Sequence, residues 1–291
     1  MYLLFCPCIR EPSLRAIGIT TDRDREAFDR ALARCKEFGI PVRYLPCPEI
    51  RYLGPDRPPA TFSERLDTPE FHGLLDTLEQ EVKNQFREYG LPLAIIGVDS
   101  SPTCGVNRTW QSPECREQGR GAFLRRFADI RAVDVFDFAA YRVYLAGPLF
   151  SQAECLWNLK IAEDLRSYAY QVYLPQETGD SSASRGEDAH HIIFQENYVA
   201  LENADLVVAV IDGADADSGT SWEMGYAYAK GIPVFAIRTD FRMVGASEQV
   251  NLMLEQSAVV VRSIEELIQA LPFPIPLQLS SGDEEQDSRS A

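Results

Sequence analysis

The chain has 291 residues, of which 45% are hydrophobic and 25% charged, an ordinary globular composition at about twice the usual domain length. Asp and Glu number 44 against 28 Lys and Arg, a formal net charge of −16, and such a field repels phosphate backbones and anionic membrane surfaces. No stretch approaches the ~20 apolar residues of a membrane span, and the start, Met1–Ile9, has no basic flank and is broken by Pro7. Seven scattered cysteines suit a reducing compartment better than a disulfide framework. The expectation is a cytoplasmic protein whose partners are neither nucleic acid nor membrane.

In chain order, the first half alternates short apolar strands with amphipathic helices. Strands are predicted near Tyr2–Phe5, Val42–Leu45 and Leu93–Val98, and helices near Arg25–Phe38 and Phe71–Tyr89. In the second helix Phe71, Leu74, Leu75, Leu78, Val82 and Phe86 recur at three- and four-residue steps, which defines a core-facing side. Tyr52–Glu70, with four prolines and several charges, reads as a surface loop or lid. A second series follows, with strands near Val143–Ala146, Val172–Leu174, Leu206–Ile211, Val234–Ile237 and Val259–Val261. Helices near Gln152–Ser167, His191–Glu202, Ser221–Lys230 and Ser263–Leu271 separate and close them. The fold class is therefore α/β, with two domains that are each a mostly parallel sheet covered by helices. The expected boundaries are a first domain over 1–132, a packed apolar linker over 133–141, a second domain over 142–276 and a disordered acidic tail over 277–291.

Cys8, Cys47 and Cys104 each follow one of the three strands of the first half. In an open parallel sheet all strand carboxyl ends lie on one edge, so these thiols can converge although they are far apart in sequence. Three soft thiolates suit iron-sulfur or zinc chemistry with one metal position left open; the alternative is three buried thiols acting as small apolar residues. The segments Leu3–Ile9 (LLFCPCI), Cys47–Glu49 (CPE) and Ser100–Gly105 (SSPTCG) resemble the 2-thiouracil desulfidase family in order and spacing. That resemblance implies a 4Fe-4S cluster on Cys8, Cys47 and Cys104, with Glu49 and Ser101 assisting catalysis on a thiolated pyrimidine. Gly119 and Gly121 fit the family's glycine-rich turn. The chain departs from the family with Cys6-Pro7-Cys8, where Ser-x-Cys is usual, so Cys6 is the alternative first ligand and Cys8 the preferred one. The proline-rich insertion after Glu49 is a second departure.

In the second half, the strand ending in Gly147-Pro148 and the run Asp212–Thr220 after the strand Leu206–Ile211 lie on the same sheet edge. Ser218 or Thr220 could cap the following helix, which would put Glu223 in its first turn, facing the cleft. The segments Tyr144–Phe150 (YLAGPLF), Asn203–Val208 (NADLVV), Gly219–Ala227 (GTSWEMGYA) and Asn251–Met253 (NLM) together resemble the nucleoside 2-deoxyribosyltransferase family. The resemblance implies a flavodoxin-like fold, Glu223 as a nucleophile on the sugar's anomeric carbon, and Asp217 as the acid that contacts and protonates the departing base. It further implies that Gly147, Pro148 and Phe150 pack against the base, and it places Gly219 among the substrate-binding residues. Asn197, beside Glu196, occupies a position where the family often has an aspartate. Asn251 matches an asparagine that serves a neighbouring subunit, so a homo-oligomer is implied. His190 and His191 read as surface residues at a helix start.

The expected function is bifunctional salvage of modified nucleosides, with N-glycosidic cleavage or deoxyribosyl transfer in the second domain and desulfuration of the liberated thiolated base in the first. The alternatives are a deoxyribosyltransferase or nucleotide N-hydrolase with a non-catalytic first domain, and a nucleotide-sensing module.

Overall fold

A computed structural model describes residues 1–178, 188–243 and 248–277, and the chain divides into two compact units, Met1–Ala140 and Tyr141–Ala291. In the first unit the elements are β1 (Leu3–Phe5), α1 (Asp22–Glu37), β2 (Val42–Tyr44), α2 (Pro48–Leu53), α3 (Phe62–Arg65), α4 (Pro69–Tyr89), β3 (Ala94–Gly97), β4 (Arg108–Ser112), β5 (Cys115–Gln118), β6 (Ala132–Asp134) and α5 (Val135–Ala139). The sheet order is β2-β1-β3-β6, with every neighbouring pair parallel. All residues of β1 and β3 are buried, as expected of central parallel strands covered on both faces. Helix α1 starts at a capping box in which Thr21 accepts from the Asp24 N–H and Asp24 accepts from the Thr21 N–H. Its inner side carries Ala27, Phe28, Ala31 and Cys35, and that of α4 carries Phe71, Leu75, Leu78 and Val82.

Residues 133–140 do not form a separate linker. They are the end of the edge strand β6 and the short helix α5, which is capped by Asp134 and buries Val135 and Phe138. Their apolar character reflects membership of the first core. The segment after Glu49 is also more regular than a loop, because α3 forms within it on a capping box between Thr61 and Glu64. The β4–β5 hairpin lies outside the main sheet and carries an exposed Cys115.

The second unit contains β7 (Arg142–Ala146), α6 (Gln152–Ser167), β8 (Gln171–Tyr173), α7 (Pro175–Thr178), α8 (Ala189–Glu202), β9 (Leu206–Val210), α9 (Ser218–Lys230), β10 (Val234–Ile237), α10 (Leu252–Gln256), β11 (Val259–Val261) and α11 (Ile264–Ala270). Its sheet order is β8-β7-β9-β10-β11, parallel throughout, and this is the flavodoxin-like arrangement. Val207, Ala209, Ala236, Leu201, Met224 and Ala227 form one continuous core with the inward face of β7. The expected tail lies, from residue 278 onward, outside the described residues. Among the described residues no helix is long and apolar enough to cross a membrane.

Asp205 ties the start of β7 to that of β9. Its carboxylate accepts from the Tyr141 and Arg142 N–H groups at 3.1 and 2.9 Å and pairs with the Arg142 guanidinium at 3.0 Å. Asp205→Ala strands these donors and is expected to cost about 2–4 kcal/mol, measured as a lowered urea midpoint.

Candidate active sites

In both sheets the strand order reverses beside a central strand, β1 next to β3 and β7 next to β9. Successive connections leave in opposite directions at these places, which opens a crevice beyond the carboxyl ends of the strands.

In the first unit that crevice is a cavity of about 470 Å³. Cys6, Cys8, Cys47, Glu49, Ser101 and Cys104 all line it. The structure therefore brings together the three cysteines, the glutamate and the serine singled out in the sequence, together with the alternative ligand Cys6. Cys47 stands at the N-cap position of α2 without a side-chain capping bond, and Glu49 lies in the first turn of that helix. Glu49 Oε2 accepts from Arg57 Nη2 at 3.0 Å, and Oε1 accepts from the hydroxyls of Thr103 at 2.7 Å and Ser101 at 3.3 Å. Ser101 Oγ in turn accepts from the Cys104 N–H at 3.1 Å. The 99–107 loop is pinned at both ends, since Asp134 accepts from the Asp99 N–H and Asp99 accepts from the Val106 and Asn107 N–H groups. Gly121 presses on the same loop: a Cβ there would stand 2.5 Å from the Thr103 carbonyl carbon, so only glycine allows this approach. Gly119 takes a positive φ in the same turn.

The thiols share a low-dielectric space. A hydrogen bond with Cys104, burial and the neighbouring thiols hold Cys6 well above its ordinary range. Burial, then Cys104 and Cys47, raise Cys8, and burial pushes Cys47 up to about 12. Among the described residues no three or more His, Cys, Asp or Glu side chains close on a point as a single metal ion requires. The thiols line a shared cavity instead. Thr103 and Arg57 were not anticipated from sequence; the signal available for Thr103 was a hydroxyl inside the SSPTCG motif.

In the second unit a cavity of about 340 Å³ is lined by Tyr144, Phe194, Asn197, Tyr198, Leu201, Gly219, Trp222 and Glu223. Asn197, Gly219 and Glu223 thus line one cavity. Asp217, not Ser218 or Thr220, caps α9: its carboxylate accepts from the Thr220 N–H at 3.0 Å. The helix consequently begins at Ser218, and Glu223 stands in its second turn rather than its first. Aspartate and serine cap about equally well, and the cap falls on Asp217 because the chain leaves its non-helical conformation there and turns helical from Ser218.

Tyr144 heads the YLAGPLF segment, but the sequence gives it no role at the site. It is fully buried, and its hydroxyl donates to Glu223 Oε1 at 2.5 Å. Tyr173 stacks on it with ring centroids 5.6 Å apart and donates to Asn197 Oδ1 at 2.9 Å. Burial pushes the Glu223 carboxyl up to about 7; the Tyr144 hydrogen bond opposes this shift and the Asp217 charge adds to it. Burial and the Glu223 charge raise Tyr144 further, so it stays a neutral donor. Gly147 lies at the end of β7, where a Cβ would meet Asn158 Oδ1 at 2.8 Å, and Asn158 Nδ2 donates to Pro148 O. Gly147, Pro148, Phe150 and Asn251 do not line this cavity. Phe150 is 79% exposed, and Asn251 caps α10 by accepting from the Met253 N–H.

Residues 143–262 match the family model described as nucleoside 2-deoxyribosyltransferase. That stretch lies wholly within the second unit, which carries the likeness to the family. An uncharacterised protein of Methanocaldococcus jannaschii is 31% identical over 88 residues, 29% of this chain and 56% of that protein. The chain thus spans little more than half the length of that curated relative. A solved structure of a 2-deoxyribosyltransferase from Bacillus psychrosaccharolyticus is 24% identical, with 47% of this chain and 99% of that one covered at a TM-score of 0.40. A solved structure of a 4Fe-4S-dependent thiouracil desulfidase is 18% identical, with 46% of this chain and 89% of that one covered at a TM-score of 0.32.

Two measurements check the Glu223 environment. With carboxyl-labelled glutamate, its NMR titration should centre near pH 7, and Tyr144→Phe should move it up by about one to two units as the donor is lost. A raised carboxyl penalises the folded state once the group is ionised in both states. Glu223→Gln should therefore melt higher than wild type at pH 8, with the difference vanishing below about pH 4.5.

Proposed function

We propose that the second unit breaks or exchanges the N-glycosidic bond of a nucleoside or nucleotide, and that the first removes sulfur from a thiolated pyrimidine. The observation that carries the first half is Glu223, held by the Tyr144 hydroxyl inside an aromatic-lined cavity; the family match over 143–262 supports it. In this reading Glu223 attacks the anomeric carbon. A carbon–oxygen bond to the enzyme forms as the carbon–nitrogen bond breaks, and the base leaves with the electron pair. Asp217, which caps α9 beside the cavity lining, would contact the base and relay to its ring nitrogen a proton taken up from water. Water or a second base then takes the sugar and frees Glu223. Tyr144 keeps one oxygen of the nucleophile oriented, and the other is left for attack. Gly147, Pro148 and Phe150 lie outside the cavity lining, and only the family resemblance supports giving them the base side. Asn251 would act in a neighbouring copy of the chain, which makes the enzyme a homo-oligomer.

For the first unit the donor set fits an iron-sulfur group: soft thiols from three strand ends line one cavity. Cys8, Cys47 and Cys104 would hold a 4Fe-4S cluster, whose open iron supplies a site that accepts sulfur. Ser101 and Thr103 orient Glu49 by donating to Oε1, and Glu49 moves the proton that exchange at the substrate's thiocarbonyl carbon requires. Free thiols at this site are in keeping with a cytoplasmic setting.

Glu223→Ala should lower base release from a nucleoside panel by at least about a thousandfold, while its circular dichroism stays native. Near-native release would place the nucleophile elsewhere. Protein purified without oxygen should hold about four irons per chain. Cys104→Ser and Cys8→Ser should strip them, whereas Cys35→Ser and Cys115→Ser should not. Loss of iron in Cys6→Ser with retention in Cys8→Ser would reverse the choice of first ligand.

A further inference from the structure

The cavity of the second unit is a groove between α8 and α9. Phe194, Asn197 and Tyr198 line it from one helix and Gly219, Trp222 and Glu223 from the other, in both cases at the three- and four-residue spacings that share a helix face. Trp222 is 51% exposed and Phe194 50%, although both are large apolar side chains. They are not loose. Phe194 stacks on Tyr198 with centroids 6.1 Å apart, and Trp222 stacks on Tyr226 at 5.6 Å. Phe194 and Trp222 meet at 6.2 Å, and Tyr198 and Tyr226 at 5.4 Å. The Tyr226 hydroxyl donates to that of Tyr198 at 3.2 Å. Four rings thus brace one another across the two helices, and two of them stay half open.

Rings held in this way lose little freedom when a planar ligand settles on them, and open apolar surface beside a cavity is a mark of a binding site. The remaining lining groups have other tasks. Glu223 must reach the anomeric carbon, where sugar and base join. Asn197 Oδ1 is taken by the Tyr173 hydroxyl at 2.9 Å, so its Nδ2 is the group left to donate, which suits a sugar hydroxyl. Among the described residues that line the cavity there is no Lys, Arg or His, so the rings face no competing cation. What Phe194 and Trp222 offer is flat apolar area, and the flat part of a nucleoside is its base.

We infer that Trp222 and Phe194 form a stacking platform for the base, and so determine which bases the second unit accepts. This deepens the glycosidic reading of Glu223 and rests on it. The base then lies on the α8–α9 side of Glu223, whereas the family resemblance would set it against Gly147, Pro148 and Phe150.

The test uses the full-length protein with Glu223→Gln to stop turnover. It is titrated calorimetrically with adenosine, uridine, their deoxy counterparts and the dihydro form of each uridine, whose base keeps both exocyclic oxygens but is puckered and not aromatic. The dihydro forms should bind about tenfold more weakly than the parent uridines, and the adenosines, with their larger ring faces, more tightly. Adding Trp222→Ala should weaken the aromatic nucleosides about ten- to a hundredfold and erase the dihydro difference. Trp222→Phe restores a ring and should recover most of the loss. Tyr228→Ala, at a position 63% exposed on α9 and outside the lining, should leave binding unchanged. If Trp222→Ala does not fold, Phe194→Ala and the dihydro comparison decide. Equal binding of planar and puckered bases, unchanged binding in Trp222→Ala, or no binding of any nucleoside overturns the inference. So does a fall in sedimenting mass in Trp222→Ala without a change in binding, which would give the groove to a second copy of the chain. Base release that is lost in Glu223→Ala but keeps its KM in Trp222→Ala would sink the platform and leave the nucleophile standing. Trp222-dependent binding in a protein that releases no base would do the reverse.

Discussion

The parallel ladder is the constraint on which both sites depend. In the first unit β1 pairs on one side with β2 and on the other with β3, and in the second β7 pairs with β8 and β9. A parallel strand must be reached by a crossover, so each unit's strands end on one edge and its connections diverge where the order reverses. The crevice is a result of that geometry before any side chain is chosen. What the sequence adds is chemistry at the strand ends: thiols after β1, β2 and β3, and a glycine-proline turn after β7 facing an aspartate-rich turn after β9. The all-apolar central strands make the rest rigid enough to hold these ends in place.

The two glutamates illustrate opposite uses of burial. Glu49 is surrounded by donors, one of them a guanidinium and two of them hydroxyls from the loop that carries Cys104. Its carboxylate is thus a hub around which the cavity wall is organised. Glu223 meets a phenol and the negative charge of Asp217, and burial weighs most on it. A carboxylate in that setting is poorly solvated and correspondingly reactive toward an electrophilic carbon.

Apolar runs and a 3.6-residue period make most strands and the long helices legible, because most of these elements bury a side against a core. β6 and α5 carry that apolar signal in a segment that also reads as a linker, and the other elements that escape lack it. The β4–β5 hairpin reads RTWQSPECREQ and is exposed over most of its length, so no alternation marks it. Helix α3 has four residues, too few for a periodicity. Three capping residues stand close together at the start of α9, and local propensity does not choose among Asp217, Ser218 and Thr220. The candidate site residues were legible where a strand end and a motif coincided. The groups that hold them were not: Tyr144 meets Glu223 across 79 positions, and Arg57 reaches Glu49 by way of an insertion whose course the sequence does not specify. Such contacts are properties of the assembled sheet edge.

The hairpin has one practical corollary. Cys115 is the exposed thiol of the seven, the others being buried or partly covered, and it stands at the start of β5 and does not itself line the cavity that holds Cys6, Cys8, Cys47 and Cys104, although Trp110 and Pro113 of the same hairpin do. A maleimide dye applied briefly to the native protein would couple there first, since accessibility governs thiol alkylation as much as ionisation does. The natural sequence therefore already contains an attachment point for fluorescence or immobilisation, and no cysteine has to be engineered in or out before the protein is followed one molecule at a time.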